Sequence, residues 1–543
     1  MAIDLGPLQF DDEIVLRQLR RDLRDDWFPD PREFEDIFRH DQIQGVLSQN
    51  FDGNEGVYRP IRRNLLNVPK SNFTLRYALE TGVADRALYQ GIATYLVPFY
   101  DPLLPWNVFN HRQAEEKDAA KHLFKRAVQS WQDFIGVVKT SVKTNPTLLS
   151  TDLTNYFENI NLDILKQTLQ SLIPEIKTSA AEKSRIRSHL AILFDCLREW
   201  CFSENAGLPQ NRDASSFLAN VYMLPVDRAM LQRGHQYFRY MDDIKIACRD
   251  EFQARRALKE LSIELRKIGL SVNSGKTQIC RPGDDEALDK CLDLGGTELH
   301  QIDAIWNTRA IRPISRSFPL LKELTQRLLR SGEVDKRVFR YCIRRLEVLA
   351  QCPEFAVPPE YFDGITPLVV DALATAPAAT DQLARYLRSV PLSPQLLGQI
   401  SGLLRDPEKN FYTWQSYRLW ALLVQKEHMD PDLMLHALGL VRTAPDDANR
   451  SGATLYVGAL GGKAERVVVA ENFSRSESYL GQRTALIAVQ ELHYRPHIEV
   501  NVQPYLRGDL KNVYKGLSRE GIYMAPPEAG PITRYIDLGR DYD

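Results

Sequence analysis

The run Gln236-Tyr237-Phe238-Arg239-Tyr240-Met241-Asp242-Asp243-Ile244-Lys245-Ile246-Ala247-Cys248 sets two aspartates side by side between flanks rich in aromatic and β-branched residues. Such flanks predict strands, and the polar step between them predicts a tight hairpin turn. Two carboxylates on a hairpin tip concentrate negative charge that a divalent cation relieves, since magnesium favours carboxylate, water and phosphate oxygens. Taken alone, the pair also fits an exposed turn, because Asp is common in turns for reasons unconnected with chemistry. The rest of the chain decides between the two.

At 543 residues the chain exceeds one ordinary core, so several domains are expected. It is 44% hydrophobic and 26% charged, the texture of a folded protein. A formal net charge of −2 excludes a globally basic nucleic-acid binder; any polyanion site must come from local segregation of charge. Seven cysteines (196, 201, 248, 280, 291, 342, 352) are dispersed without a CxxC pair, which suits reduced thiols better than a disulfide framework or a zinc site. The first residues lack the pattern of a signal peptide, and no apolar run is long enough to span a bilayer, so a cytoplasmic location with no membrane partner is expected.

Working outward, residues 11–40 carry Ile14, Leu16, Leu19 and Leu23 at helical spacing among dense charge, predicting a surface helix. From Val57 to Leu79 there are Arg59, Arg62, Arg63, Lys70 and Arg76 and no acidic residue. That segment fits either a solvated basic face or a phosphate-binding surface. Thr147 to Leu153 has a strand pattern with Asp152 near its end, and a helix pattern follows from about Leu162. Gly207-Leu208-Pro209-Gln210 demands a loop before a helix from Ala214. Past the aspartate pair, Phe252, Leu258, Leu261, Leu265 and Ile268 predict an amphipathic helix entered at Asp250, and Gly269 to Asn273 predicts the start of another strand. Between Ile305 and Glu347 eleven basic residues, among them Arg309, Arg312 and Arg316, face four acidic ones, which predicts a positive helical stripe suited to a nucleic-acid backbone. From about residue 360 apolar helical segments alternate with Pro or Asp-Pro punctuation, as stacked helix pairs would.

Asp152, then Gly207–Gln210, then Tyr240-Met241-Asp242-Asp243, then Lys276 stand in an order and spacing that resembles the palm of reverse transcriptases, over roughly residues 57–300. The resemblance implies an α+β polymerase hand. Its expected parts are an N-terminal helical extension (1–56), fingers and palm (57–300), thumb-like basic helices (301–355), an all-α HEAT-like repeat domain (356–525) and a tail (526–543). It also implies the chemistry. Asp152, Asp242 and Asp243, with the Leu153 carbonyl, would hold two Mg2+ ions, for which Mn2+ can substitute. Lys276 would protonate departing pyrophosphate. Tyr156 and Phe157 would line the nucleotide site, Phe157 excluding a 2′-hydroxyl, although an ordinary core aromatic is the plainer reading of that ring. Lys70 and Arg76 would grip the triphosphate, Gln210 and Ser215 or Ser216 the nascent base pair and template, and Arg62, Arg63, Arg309, Arg312 and Arg316 the nucleic acid. Asn211 departs from the family, many members of which have a second Gly there.

The compact palm followed by helix pairs is similar to bacterial abortive-infection and defence-associated reverse transcriptases. That likeness implies dNTP substrates, RNA or nascent DNA as partner, homo-oligomers, a non-coding RNA partner, and synthesis primed from a protein hydroxyl with or without a template. Tyr58, Tyr523, Tyr535 and Tyr542 are the candidate priming hydroxyls, chosen by expected exposure. The competing expectation is an RNA-binding assembly or maturase-like factor whose palm is a non-catalytic scaffold.

Overall fold

The alternation in 236–248 folds as a hairpin of Gln236–Tyr240 and Asp243–Cys248, paired from Gln236↔Ala247 to Tyr240↔Asp243. Thr147–Thr151 adds to its other side and Gln278–Cys280 completes a four-stranded, all-antiparallel sheet. The computed structural model describes residues 2–4, 8–24, 26–35, 43, 45, 47–48, 50–52, 57–61, 63–115, 122–292, 296–308, 310–492, 495–506, 510–517 and 521–525. By backbone contacts the chain divides into two units, one of residues 1–22, 43–62 and 83–294 and one of residues 23–42, 63–82 and 295–543.

In the first unit one sheet face carries Leu148 and Phe238, buried with Phe134 and Val138 of the helix Ala127–Val142. The other face packs on the helices Asp213–Gln232 and Glu251–Lys267. Asp250 caps the second of these, accepting from Gln253 N–H at 2.8 Å, as its position before the apolar pattern predicts. The strand expected at 269–273 is reduced to a single bridge, Leu153↔Val272, before a 3-10 turn at Ser274–Lys276 and the strand Gln278–Cys280. Cys280 and the Cys291 of helix Asp285–Leu292 are brought close together, because the chain turns back on itself between them.

The second unit is dominated by helices in two rows. One row runs Arg337–Gln351, Thr380–Ser389, Thr413–Gln425, Ala448–Leu460 and Tyr479–Ala488, each packed on the next. Phe318–Arg330, Thr366–Thr375, Pro394–Arg405, Pro431–Thr443 and Lys463–Glu471 form the other. Close approach within the first row needs small residues: a Cβ on Gly458 would lie 2.3 Å from the Ala488 Cα.

Two short segments join this unit from far up the chain. The hairpin Asn64–Pro69 and Leu75–Glu80 buries Leu66, Val68 and Ala78 with Trp414, Tyr417 and Leu480. Residues 26–35, inside the stretch expected as a surface helix, instead form a strap. Its carbonyls at Asp26, Trp27 and Pro29 accept from Arg418, Trp414 and Tyr417. Asp30 pairs with Arg483 at 2.7 and 2.9 Å, both side chains 2% exposed. Of the expected fingers-and-palm stretch 57–300, residues 63–82 fall in the helical unit, as does the thumb-like stretch after 295.

A buried carboxylate that loses its partner costs about 3–5 kcal/mol. Arg483→Met is accordingly expected to lower the urea midpoint of the full chain and to open 26–35 to limited proteolysis. Unchanged cleavage would mean that the strap is held by its backbone bonds alone.

Candidate active site

The register of the sheet brings distant acids together. Thr151 pairs with Ile244, so Asp152 leaves its strand beside the turn that carries Asp242 and Asp243. Burial, and next the charge of the adjacent Asp152 carboxylate, push the Asp242 carboxyl up to about 7. Asp243 is likewise raised by burial, against the pull of Lys245. Lys276, in the 3-10 turn, forms an ion pair with Asp152 Oδ2 that raises its own pKa and keeps it charged. The other oxygen, Asp152 Oδ1, is buried with no hydrogen-bond donor. Among the described residues no three acidic, His or Cys side chains close into a finished metal cage. Lys276 and Lys245 are ion-paired with two of the carboxylates, Asp152 and Asp243.

The turn itself is under constraint. Tyr240↔Asp243 is the last pair, leaving Met241 and Asp242 as a two-residue loop with Met241 at φ 57°. That conformation costs a non-glycine residue about 1–2 kcal/mol. Arg239, fully buried, holds it by donating from Nη1 to the Met241 carbonyl at 3.0 Å. Arg239 also donates to Asp227 at 2.8 and 2.6 Å and to Asn220 Oδ1 at 2.9 Å, both acceptors standing on Asp213–Gln232. Tyr237 donates its hydroxyl to the same Asp227 at 2.9 Å.

Beside the acids, Phe157 is half-buried in a short 3-10 turn, its ring 5.3 Å from that of Tyr156. Tyr156 is buried and donates its hydroxyl to the Ala219 carbonyl at 2.6 Å. The loop foreseen at Gly207–Gln210 clamps this turn: Leu208 N–H donates to the Phe157 carbonyl and Gly207 N–H to that of Ile160, both at 2.9 Å. Gly207 takes φ 103° with Phe202 in the space of a Cβ, so no other residue fits. Asn211 stands at φ 56°, a left-handed conformation that Asn tolerates, which accounts for Asn where the expected pattern has Gly. Gln210 is buried and donates to Glu158 at 3.2 Å. At Leu153 the bridge bonds run from Thr154 N–H to Ser271 and from Asn273 N–H to Asp152, so the bridge leaves the Leu153 carbonyl unused.

Residues 74–314 match the sequence model of the family described as reverse transcriptase (RNA-dependent DNA polymerase). This segment is a reverse transcriptase domain. That family is one of RNA-directed DNA polymerases, which are nucleotidyltransferases. Among solved structures, the chain is similar to telomerase from Candida albicans in complex with a TWJ fragment of telomeric RNA, at 11% identity and a TM-score of 0.29. The match covers 69% of this chain and 63% of that one, so the chain spans less than two thirds of that relative. No protein of curated function matches the chain.

Of the residues expected to serve the reverse transcriptase domain, Asp152, Asp242, Asp243 and Lys276 stand together. Ser215 is a correction: it is fully buried with its hydroxyl 2.8 Å from that of Tyr89, while Ser216 keeps exposed surface. Lys70, Arg63 and Arg76 belong to the second unit, Arg76 with its guanidinium 5.8 Å from the Trp27 ring centre. There too Arg312 and Arg316 are exposed, on Ile311–Arg316. The expected positive stripe is thinner than its count, since Lys322 donates to Tyr361 and Arg344 pairs with Glu347. Tyr58 is also a correction, being buried with its hydroxyl donating to Asp85 at 2.8 Å. Tyr523 is half-buried and donates to Glu491. Arg62, Arg309, Tyr535 and Tyr542 lie outside the described residues. Sequence reasoning missed Arg239, Asp227 and Lys245; the available signal was two basic residues inside otherwise apolar strands.

With Asp242 raised to about 7, the folded chain keeps a proton that the unfolded chain releases near its ordinary 3.8. Its stabilising contribution is full below that value and fades as pH rises through about 7. Without divalent cations, the melting temperature should fall across this window, and Asp242→Asn should flatten the fall. A profile identical in the variant would exclude the shift.

Proposed function

We propose that this chain is a DNA polymerase that adds dNTPs to a hydroxyl with two bound Mg2+ ions, Mn2+ being able to substitute. The observation that carries the reading is the meeting of Asp152 with Asp242 at the sheet's end, one buried carboxylate oxygen lacking any donor. A hard-oxygen set of this kind fits magnesium, and Asp152 and Asp242 would hold it, with Asp243 and the Leu153 carbonyl as further oxygens. Such ions, when bound, activate the attacking hydroxyl and steady the triphosphate. The chain's own groups supply the rest. Phe157, anchored by the Leu208 bond, closes the space a 2′-hydroxyl would need and favours dNTPs. Lys276, kept protonated beside Asp152, is the proton donor for departing pyrophosphate. Gln210 and Ser216 meet the base pair, Lys70 and Arg76 the phosphates, and Arg63, Arg312 and Arg316 the RNA or nascent DNA strand.

The two-row helical stack after the domain supports the finer reading, a HEAT-like repeat domain of a defence-associated bacterial enzyme. That reading carries with it homo-oligomers, a non-coding RNA partner and protein priming. The bonded hydroxyls of Tyr58 and Tyr523 leave Tyr535 and Tyr542 as the priming candidates. No helix among the described residues is long and apolar enough to cross a membrane.

Purified protein with co-purifying RNA, Mg2+ and labelled dNTPs should make DNA, and Asp242→Ala should reduce incorporation by about a thousand-fold or more while the circular dichroism spectrum is kept. RNA binding without incorporation in the wild type would instead favour the scaffold reading.

A further inference from the structure

Side chains alternate along a strand, so Asp243 and Lys245 share one face of the sheet. Ser150 pairs directly across from Lys245 on one side and Phe238 on the other, and Asp152 follows two residues after Ser150. On this face the Lys245 ammonium donates to Asp243 Oδ1 and to Ser150 Oγ, each at 2.7 Å. The lysine side chain is 6% exposed, the aspartate 30%. Its neighbour Phe238 is buried among Phe134, Val138 and Leu148. An ammonium in such surroundings is costly unless it is paired. The three carboxylates are thus not equivalent. Asp243 is tied to a cation buried in the sheet, whereas the cation paired with Asp152 is Lys276, a side chain 66% exposed that reaches in from solvent, and Asp152 keeps one oxygen without a donor.

We propose that Lys245 is a positioning residue that holds Asp243 against the sheet as an internal ion pair, leaving Asp152 and Asp242 to carry divalent-cation binding. The inference rests on the polymerase reading of the site and refines it. The second aspartate of the pair acts as counter-ion to the lysine, and the cation meets less negative charge than the three acids would present.

The test is Mn2+ binding to the full-length protein, followed by electron paramagnetic resonance at one fixed pH without nucleotide. Lys245→Met frees the Asp243 charge and should tighten Mn2+ about ten-fold, and Lys245→Met combined with Asp243→Asn should return it to the wild-type value. Asp243→Asn alone leaves the buried Lys245 charge unpaired and should weaken Mn2+ about ten-fold, and Asp242→Asn should weaken it about ten-fold or more by removing a ligand. Should Lys245→Met fail to fold, the double variant decides alone, since it removes both charges of the pair. A double variant weakened about ten-fold, as loss of a direct Asp243 ligand would give, or no tightening in a folded Lys245→Met, overturns the role of Lys245 and leaves the polymerase reading standing. An Asp242→Asn variant that binds Mn2+ like the wild type overturns both.

Discussion

Everything at the active end of the sheet depends on one buried ion pair. Arg239 and Asp227 are both without exposure, and their bonds at 2.8 and 2.6 Å lock a guanidinium whose remaining N–H reaches the Met241 carbonyl. A two-residue loop with Met rather than Gly at positive φ would relax if left alone. The guanidinium holds it in place, and with it the direction in which Asp242 leaves the hairpin. Burying such a pair gives little net stability. Its return is geometric: one helix, Asp213–Gln232, fixes both the turn through Asn220 and Asp227 and the short turn of Tyr156 and Phe157 through Ala219, which accepts from Tyr156.

That helix begins just past Gly207–Asn211, so loop and hairpin are two ends of one support. The loop's backbone donates to Phe157 and Ile160, and the helix it starts receives Arg239. Asn at 211 is tolerable in this frame because the position takes a left-handed conformation, which Asn adopts readily. The site is therefore stiff where its groups must be aimed. It is adjustable at Lys276, whose long exposed side chain is the nearest cation to Asp152.

Much of this was legible in the chain. Strand flanks around Asp242 and Asp243, the cap at Asp250 and the loop at Gly207 are local signals, and local signals survive without knowledge of tertiary contacts. The meeting of Asp152 with Asp242 came from motif order, since no periodicity relates residues so far apart. What escaped was set by long-range partners. Residues 26–35 look like the tail of an amphipathic helix, yet Asp30 finds Arg483, and the strap follows the partner rather than the propensity. Charge counting failed for the same reason. Arg344 and Lys322 belong to the basic excess between 305 and 347 on paper, but their donors are consumed inside the fold.

The placement of the hairpin 64–80 follows from its two faces. Leu66, Val68 and Ala78 form an apolar row on one side by strand alternation, and an isolated two-stranded ribbon cannot bury such a row by itself. Trp414, Tyr417 and Leu480 of the helical stack supply the missing cover, and Glu80 accepts from Leu480 N–H at the ribbon's end. A ribbon of this length with five basic residues around it and no acid between Val57 and Leu79 would repel itself less if extended. Its structure is thus conditional on the helices that lie more than three hundred residues downstream. The helical stack is accordingly part of what folds the basic ribbon, and truncating the chain after the polymerase domain would remove the surface on which that ribbon is built.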